Sequence, residues 1–159
     1  MDRELVKLVT DIQALLELED TAPLKAFLAK LHPSDLAEVI EELTPEQGAH
    51  VLALTDDEDA AEAFDDLPGA TQREVIAEME SPEISVMLEQ MGDDDIADLM
   101  AELGTDEAAH ILGLLDVEDA AEVKQLLSYP EDSAGGIMTT EFFWVPEMYT
   151  AARAIEHMR

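Results

Sequence analysis

A sixty-residue internal repeat constrains this chain more than any other feature. Residues 35–62 read DLAEVIEELTPEQGAHVLALTDDEDAAE, and residues 95–122 read DIADLMAELGTDEAAHILGLLDVEDAAE, with no insertion. Fourteen of the twenty-eight positions are identical, namely Asp35, Ala37, Glu42, Leu43, Ala49, His50, Leu52, Leu54, Asp56, Glu58, Asp59, Ala60, Ala61 and Glu62, each matched sixty residues later. Such a fixed period predicts an architecture of stacked copies of one structural unit.

Helix-start signals divide this repeat into short helices. Pro33 stands where a first-turn proline belongs and predicts a helix to about Leu43. The segments Thr44-Pro45-Glu46-Gln47 and Thr55-Asp56-Asp57-Glu58 each predict a capping box. The repeat also extends upstream, because Thr21, Leu24, Phe27, Leu28 and Leu31 match Ser81, Ile84, Met87, Leu88 and Met91 at the same offset. One unit is therefore about four short helices, and the helix after Gly69 joins it to its copy.

Composition supports a helical fold throughout the repeat. Only 4% of the residues are aromatic, and we expect the seven glycines and seven prolines to fall between the helical segments. Residues 2–18 have apolar positions at helical spacing and predict a first amphipathic helix. We predict an all-α superhelix of the HEAT or armadillo type, with Gly92 and Gly104 in left-handed conformation at helix ends.

The composition changes after residue 128. We therefore predict a helical-repeat domain over residues 1–128, followed by a linker and the truncated start of a second domain over residues 129–159. The run Phe142, Phe143, Trp144 and Val145 predicts a strand ended by Pro146, and a helix is predicted from Thr150. A strand without partners has an unpaired edge, so we expect this tail to be disordered or to pack on a neighbouring chain.

Charge excludes several function classes. Thirty-nine acidic residues against eight basic ones give a net charge of −31, which repels nucleic acid and anionic lipid and favours cations as partners. Adaptation to a saline cytoplasm is an alternative explanation of the same negative charge. The chain has no cysteine, no stretch long enough to span a membrane and no nucleophile or phosphate-loop motif, so we expect a soluble intracellular piece that is not an enzyme.

Pairs of carboxylates four residues apart are the candidate cation ligands. The pairs are Glu58 with Glu62, Asp94 with Asp98, and Glu118 with Glu122. Like charges on one helix face cost a few tenths of a kcal/mol, roughly, and a divalent cation relieves that cost. Oxygen ligands suit Mg²⁺ or Ca²⁺ rather than zinc. In so acidic a chain, however, a single pair is also explained as a solvated helix face.

Four segments resemble a known family. HPSDLAEVIEEL, EDAAEAFDDL, DDDIADLM and EDSAGGIMTTEFFWV look like the amino-terminal intracellular domain of MgtE-type magnesium transporters, and the last looks like the junction into their first CBS domain. The resemblance implies a Mg²⁺ sensor at the cytoplasmic face of the cell membrane, in a full-length homodimer. The acids of this domain would share Mg²⁺ with the CBS domains of the same polypeptide, and closure of the domains would shut the pore.

The same resemblance points to particular residues. The motifs assign Glu62, Asp94 and Asp98 as Mg²⁺ ligands, with Asp95 and Glu122 as weaker candidates. Because the CBS pair and the pore are absent, we expect no transport and weak, incomplete sites.

Two non-catalytic alternatives stay open. Short helical repeats with a Leu-His-Pro opening also resemble the middle part of the flagellar rotor switch protein, an interaction module, although the segment Gly135-Gly136-Ile137-Met138-Thr139 argues against it. A free-standing scaffold whose acidic face binds a basic protein is the other possibility.

Overall fold

The computed structural model describes residues 3–18, 20–130, 133–139 and 144–158, and within these ranges the chain forms helices and no strand. The helices are α1 (Arg3–Leu16), α2 (Ala22–Leu28), α3 (Pro33–Glu41), α4 (Pro45–Leu54), α5 (Asp57–Asp65), α6 (Gly69–Ile76), α7 (Ser81–Leu88), α8 (Asp93–Glu102), α9 (Thr105–Leu114), α10 (Val117–Leu126) and α11 (Ala151–His157). The predicted all-α fold is confirmed. No helix of these ranges is long and apolar enough to cross a membrane.

The sequence repeat is also the structural repeat. Helices α2 to α5 form the first unit, helices α7 to α10 form the second at the same sixty-residue offset, and α6 joins them. Each helix packs on the next but one, so that α1, α3, α5, α7 and α9 form one row and α2, α4, α6, α8 and α10 form the other. The core lies continuously between these two rows, as expected of a superhelix of stacked units. Its largest fully buried side chains are Phe64, Ile12, Leu24, Leu28, Leu36, Ile40, Ile96, Leu99, Val39, Val51, Val75 and Val123.

One of the two predicted capping boxes is confirmed and the other is wrong. Thr44 Oγ1 accepts a hydrogen bond from the Gln47 N–H at 3.3 Å, and Gln47 Oε1 accepts from the Thr44 N–H at 3.2 Å. Thr55 instead donates its hydroxyl to the Val51 carbonyl at 2.8 Å, and Asp56 is the N-cap of α5. The Thr55 side chain is buried against the end of α4, so its hydroxyl completes the last turn of the preceding helix.

The glycine prediction is also wrong. Gly92 and Gly104 have φ of −72° and −69° and are the N-caps of α8 and α9. Each helix here begins within a few residues of the end of the previous one. The intervening glycine therefore takes the extended conformation that starts the next helix rather than a left-handed one that ends the last.

Beyond residue 128 the outcome is mixed. Thr150 caps α11 by accepting from the Arg153 N–H at 3.4 Å, which confirms the predicted terminal helix. Trp144 and Val145 have no regular secondary structure, so the strand prediction is wrong for these two residues, whereas Phe142 and Phe143 lie outside the described residues. Residues 133–139 pack against α8 of the same chain, a contact that the sequence did not lead us to expect. The domain boundary and the CBS assignment stay predictions.

Equivalent helices of the two units differ in how far neighbouring helices bury them. Ala49 and Ala61 of the first unit are 5% and 3% exposed, because α6 packs on α4 and α7 packs on α5. Their counterparts Ala109 and Ala121 are exposed, since no helix follows α10 at the equivalent positions in residues 133–139 and 144–148. We therefore expect substitutions at equivalent residues of the two units to have unequal effects on stability.

We predict that Gly113→Ala raises the free energy of unfolding by about 0.5–1 kcal/mol, the cost of glycine in a helix interior. Gly113 lies in α9 and Gly48 lies in α4, so the expectation that glycines fall between the helices is wrong for these two. No atom is within 4 Å of where a Cβ on Gly113 would be, and its counterpart is Ala53. At Gly48 a Cβ would lie 3.1 Å from Ile40 Cγ2 and 3.3 Å from Val75 Cγ2. Gly48→Ala should therefore raise the free energy of unfolding by less than Gly113→Ala, or lower it. Urea unfolding followed by circular dichroism measures both. An equal gain at the two glycines would contradict this account.

Candidate cation site

The acidic residues Asp65, Asp94, Asp95 and Asp98, here called the acidic cluster, meet at the joint between the two units. Asp65 is the last residue of α5, Asp94 and Asp95 lie in the first turn of α8, and Asp98 follows one turn later. All four line an open cavity of about 480 Å³, together with Gln72 of α6 and Glu102 of α8. Because α6 packs on α8, it brings the end of α5 to the start of α8.

Helix dipoles explain only part of this arrangement. Asp94 and Asp95 stand at a helix N-terminus, where a negative charge is favourable by about 0.3–1 kcal/mol. Asp65 stands at a helix C-terminus and Asp66 is its C-cap, where the same interaction is unfavourable. Local helix stability therefore accounts for Asp94 and Asp95, and not for Asp98 or for the acids at the end of α5.

Gln72 fixes the end of α5. Its side chain is 8% exposed, and its Nε2 donates to the Phe64 carbonyl at 2.8 Å and to the Asp65 carbonyl at 3.3 Å. Carbonyls in the last turn of a helix have no partner within the helix. The Gln72 amide satisfies two of them and so holds the backbone that carries the Asp65 carboxylate.

Burial and neighbouring carboxylates raise the pKa of three members of the cluster, Asp65, Asp95 and Asp98. Partial burial, followed by the charges of Asp65, Asp94 and Asp98, raises the pKa of Asp95 to about 6 against the opposing hydrogen bond from the Gly92 backbone. Partial burial and then Asp66, Asp94 and Asp98 raise the pKa of Asp65. Partial burial and then Asp94 raise the pKa of Asp98. The cluster is therefore short of positive charge at neutral pH.

The structure brings together two of the three predicted ligands. Asp94 and Asp98 lie in the cluster, and so does the weaker candidate Asp95. Glu62 is exposed on α5, one turn before Asp65 and on the same side of that helix, and it does not line the cavity. Glu122 lies on α10, half-buried and away from the cavity.

Sequence reasoning missed Asp65. It has no partner four residues away in an acidic pair, which was the pattern used to choose candidates. The signal that could have found it is the pair Asp65-Asp66 at a predicted helix C-terminus, where acids oppose the helix dipole.

Although the sequence repeats, the part of the chain that the structure describes forms one such cluster and no second copy at the equivalent place. Asp94 corresponds to Ser34 in the first unit, and Asp65 corresponds to Gln125 in the second. The cluster therefore belongs to the joint between the units and not to the repeated unit itself.

The donor set fits a hard cation but does not form a closed site. All the cluster side chains offer carboxylate oxygens, which Mg²⁺ prefers, and Mg²⁺ commonly binds one or two carboxylates and keeps its remaining waters. Within the described ranges no group of three or more His, Asp or Glu residues has an arrangement that could hold a metal ion. Further ligands would have to come from water or from another protein surface.

The raised pKa values predict a pH effect. Asp95 is protonated more readily in the folded chain (pKa about 6) than in the unfolded chain (3.8), so its cost to stability grows as the pH rises from about 4 to 6. Asp95→Asn should remove that cost, stabilise the protein at pH 7 by about 1 kcal/mol or less after solvent screening, and flatten the pH profile. Thermal unfolding across pH 4–7 measures the effect.

The counterpart variant Asp35→Asn is the control for that experiment. Asp35 occupies the equivalent position in the first turn of α3, outside the cluster. Asp35→Asn removes the same favourable interaction with a helix N-terminus but relieves none of the carboxylates of the acidic cluster. If both variants change the pH profile equally, the pH effect belongs to the net charge and not to the cluster.

A known protein family and solved structures resemble this chain in sequence and fold. The family model of the MgtE intracellular N domain matches residues 31–132. The cytosolic domain of the Mg²⁺ channel MgtE in complex with ATP is similar, with a TM-score of 0.75 and 32% identity, over 82% of this chain and 54% of that chain. The soluble part of a magnesium transporter is also similar, with a TM-score of 0.75 and 26% identity, over 87% of this chain and 55% of that chain. The chain thus spans about half the length of these structures, and no curated protein sequence matches it.

Proposed function

Because this chain belongs to the MgtE family through its intracellular N domain, we propose that it is the Mg²⁺-sensing regulatory domain of a magnesium transporter. The resemblance noted from the sequence is confirmed, and the family is by description an intracellular domain, which agrees with the predicted cytoplasmic location. The flagellar alternative is not retained, since both matched structures are of magnesium transport proteins. The proposed role is regulatory and not catalytic.

The acidic cluster is the observation that supports a sensing role. Asp65, Asp95 and Asp98 are held in it at a cost, because partial burial and then the neighbouring carboxylates raise the pKa of each. Asp94, Asp95, Asp98 and Asp65 would hold Mg²⁺, which supplies the positive charge that the cluster lacks. A cluster that is open on one side and short of ligands is suited to sharing a cation with a second acidic surface.

We place that second surface on the CBS domains that the junction motif implies. At low Mg²⁺ the carboxylates of the cluster repel acids on the facing domain, and the two domains separate. At high Mg²⁺ the same carboxylates share cations with that domain, and the domains close. Closure would then hold the pore shut, in a homodimer at the cytoplasmic face of the membrane. The net charge of −31 opposes contact with a second acidic surface at low ionic strength, and shared divalent cations would offset that repulsion.

The test is a Mg²⁺ titration of amide chemical shifts at fixed high ionic strength, in this chain and in the chain continued through its following domains. We expect saturable shifts near Asp94 and Asp98 with a lower midpoint in the longer protein. The double variant Asp94→Asn, Asp98→Asn should raise that midpoint about tenfold or more, since each lost charge-assisted contact is worth roughly 1.5–3 kcal/mol.

A matched variant controls for net charge. Asp35→Asn with Glu38→Gln removes two charges at exposed positions of α3 that correspond to Asp95 and Asp98. Its Mg²⁺ midpoint should stay within about twofold of the wild type, because separated surface charges are largely screened at high salt. If Mg²⁺ instead shifts acids all over the surface, and both double variants behave alike, then the charge serves solvation and the sensing proposal fails.

A further inference from the structure

The junction segment, residues 133–139, is fixed to the helical domain at the acidic cluster. Ser133 Oγ donates to the Pro130 carbonyl at 2.6 Å and accepts from the Gly136 N–H at 3.2 Å, so the segment turns back immediately after α10. Met138 is half-buried against the helical core. The polypeptide that leaves the helical domain therefore first runs across α8 rather than away from it.

A glycine permits this close approach. A Cβ on Gly135 would lie 2.6 Å from Cγ of the Tyr129 ring, which is too short for any side chain. The backbone at Gly135 thus lies directly on the aromatic ring at the end of α10. This contact and the half-buried Met138 fix where the rest of the segment crosses α8.

Where it crosses α8, the junction segment reaches Asp94 of the acidic cluster. Gly136 and Ile137 line the same 480 Å³ cavity as Asp94, Asp95 and Asp98. The Thr139 hydroxyl donates to Asp94 Oδ1 at 3.1 Å. The two residues are forty-five positions apart in sequence, so this hydrogen bond joins the junction segment to the start of α8.

We propose that Thr139 is a positioning residue of the cation site, acting through Asp94 and linking the position of the junction segment to cation binding. This inference rests on the proposed function. A carboxylate has about four lone-pair sites, so a hydrogen bond at Oδ1 is compatible with a cation on the same group. The bond holds the carboxylate in one orientation, and a cation that binds Asp94 in that orientation stabilises the bond in return, because coupling between two contacts is reciprocal. Cation binding, which holds Asp94 in place, therefore also keeps the junction segment on α8.

The experiment compares Thr139→Val, Thr139→Ser and the wild type in the whole 159-residue chain, with MgCl₂ as the probe at constant ionic strength. Valine has the shape of threonine without the donor, and serine keeps the donor. We expect Thr139→Val to raise the Mg²⁺ midpoint at Asp94 and Asp98 about three- to tenfold, the worth of one hydrogen bond, and Thr139→Ser to stay near the wild type. Thr10→Val removes a similar exposed hydroxyl bond, to the Val6 carbonyl, and should leave the midpoint unchanged.

Hydrogen exchange of the amides of residues 135–139 supplies a second measurement. Saturating Mg²⁺ should slow this exchange in the wild type and in Thr139→Ser but not in Thr139→Val. Equal midpoints for wild type and Thr139→Val would overturn the role of Thr139 while leaving the sensing proposal intact. If Thr139→Val and Thr139→Ser raise the Mg²⁺ midpoint equally, then only the packing of the side chain matters, and the proposed role of the Thr139 hydroxyl would also be overturned. A wild type with no localised Mg²⁺ response would overturn both proposals.

Discussion

Phe64→Ala is expected to lower the free energy of unfolding by about 3–5 kcal/mol, the range for removing a buried phenylalanine side chain. Phe64 is 0% exposed and is the largest fully buried side chain of the core. It lies near the end of α5, which packs on both α3 and α7, so the cavity would open between helices of the two units. Since small domains have only about 5–15 kcal/mol of stability in total, this loss would leave much of the chain near its unfolding threshold.

The repeat supplies a matched control for Phe64. The residue sixty positions later is Lys124, which is exposed on α10. Lys124→Ala should change the free energy of unfolding by no more than about 0.5 kcal/mol, as is usual for surface substitutions. Urea unfolding monitored by circular dichroism gives both values. A loss of less than 1 kcal/mol for Phe64→Ala, or comparable losses for the two variants, would show that the units do not differ as the burial indicates.

The helical architecture could be predicted because its signals are local and occur twice. Pro33, the Thr44 capping box and the apolar spacing of α1 each act within one or two helical turns. The errors arise where a residue is shared between consecutive helices. Thr55 completes α4 instead of starting α5, and Gly92 starts α8 instead of ending α7. With helices this closely spaced, sequence alone does not decide which helix a boundary residue serves.

The candidate site was predictable only in part because it depends on how distant helices meet. Asp94 and Asp98 share one helix face, and spacing alone reveals that. Asp65 reaches them only because α6 packs on α8, and Thr139 reaches Asp94 only because residues 133–139 turn back. A period of sixty residues shows which residues are equivalent in the two units, but not which acids meet at the joint between them.

The structure also separates the cluster from the general acidity of the chain. Of the carboxyl groups in the described ranges, Asp65, Asp95, Asp98 and Asp119 have clearly raised pKa values, and three of these belong to the cluster. Adaptation to salt favours acids that are spread over the surface and well hydrated. Acids that are drawn together at a cost call for a further explanation, and cation binding supplies one.

Gln72→Met is expected to lower the free energy of unfolding by about 1–3 kcal/mol, because a nearly buried amide that satisfies two helix-end carbonyls would be replaced by a thioether of similar size. The Phe64 and Asp65 carbonyls would lose their partner, and the end of α5 would be less well fixed. Since that end carries Asp65, the Mg²⁺ midpoint at the cluster should rise as well. Gln90→Met, the same change at an exposed position, is the control and should be nearly neutral.

Gln72→Glu distinguishes the loss of the donor from a change in side-chain shape. Glutamate has the shape of glutamine but replaces the Nε2 donor with an oxygen, facing two carbonyls and beside the acidic cluster. At pH 7, Gln72→Glu should lower the free energy of unfolding by more than Gln72→Met does. This loss should shrink as the pH falls towards 4, because the protonated acid can again donate to the carbonyls. Unfolding of the two variants at pH 7 and pH 4 measures the difference. If methionine and glutamate cost the same at both pH values, the Gln72 hydrogen bonds contribute little, and the position of Asp65 must be fixed by packing alone.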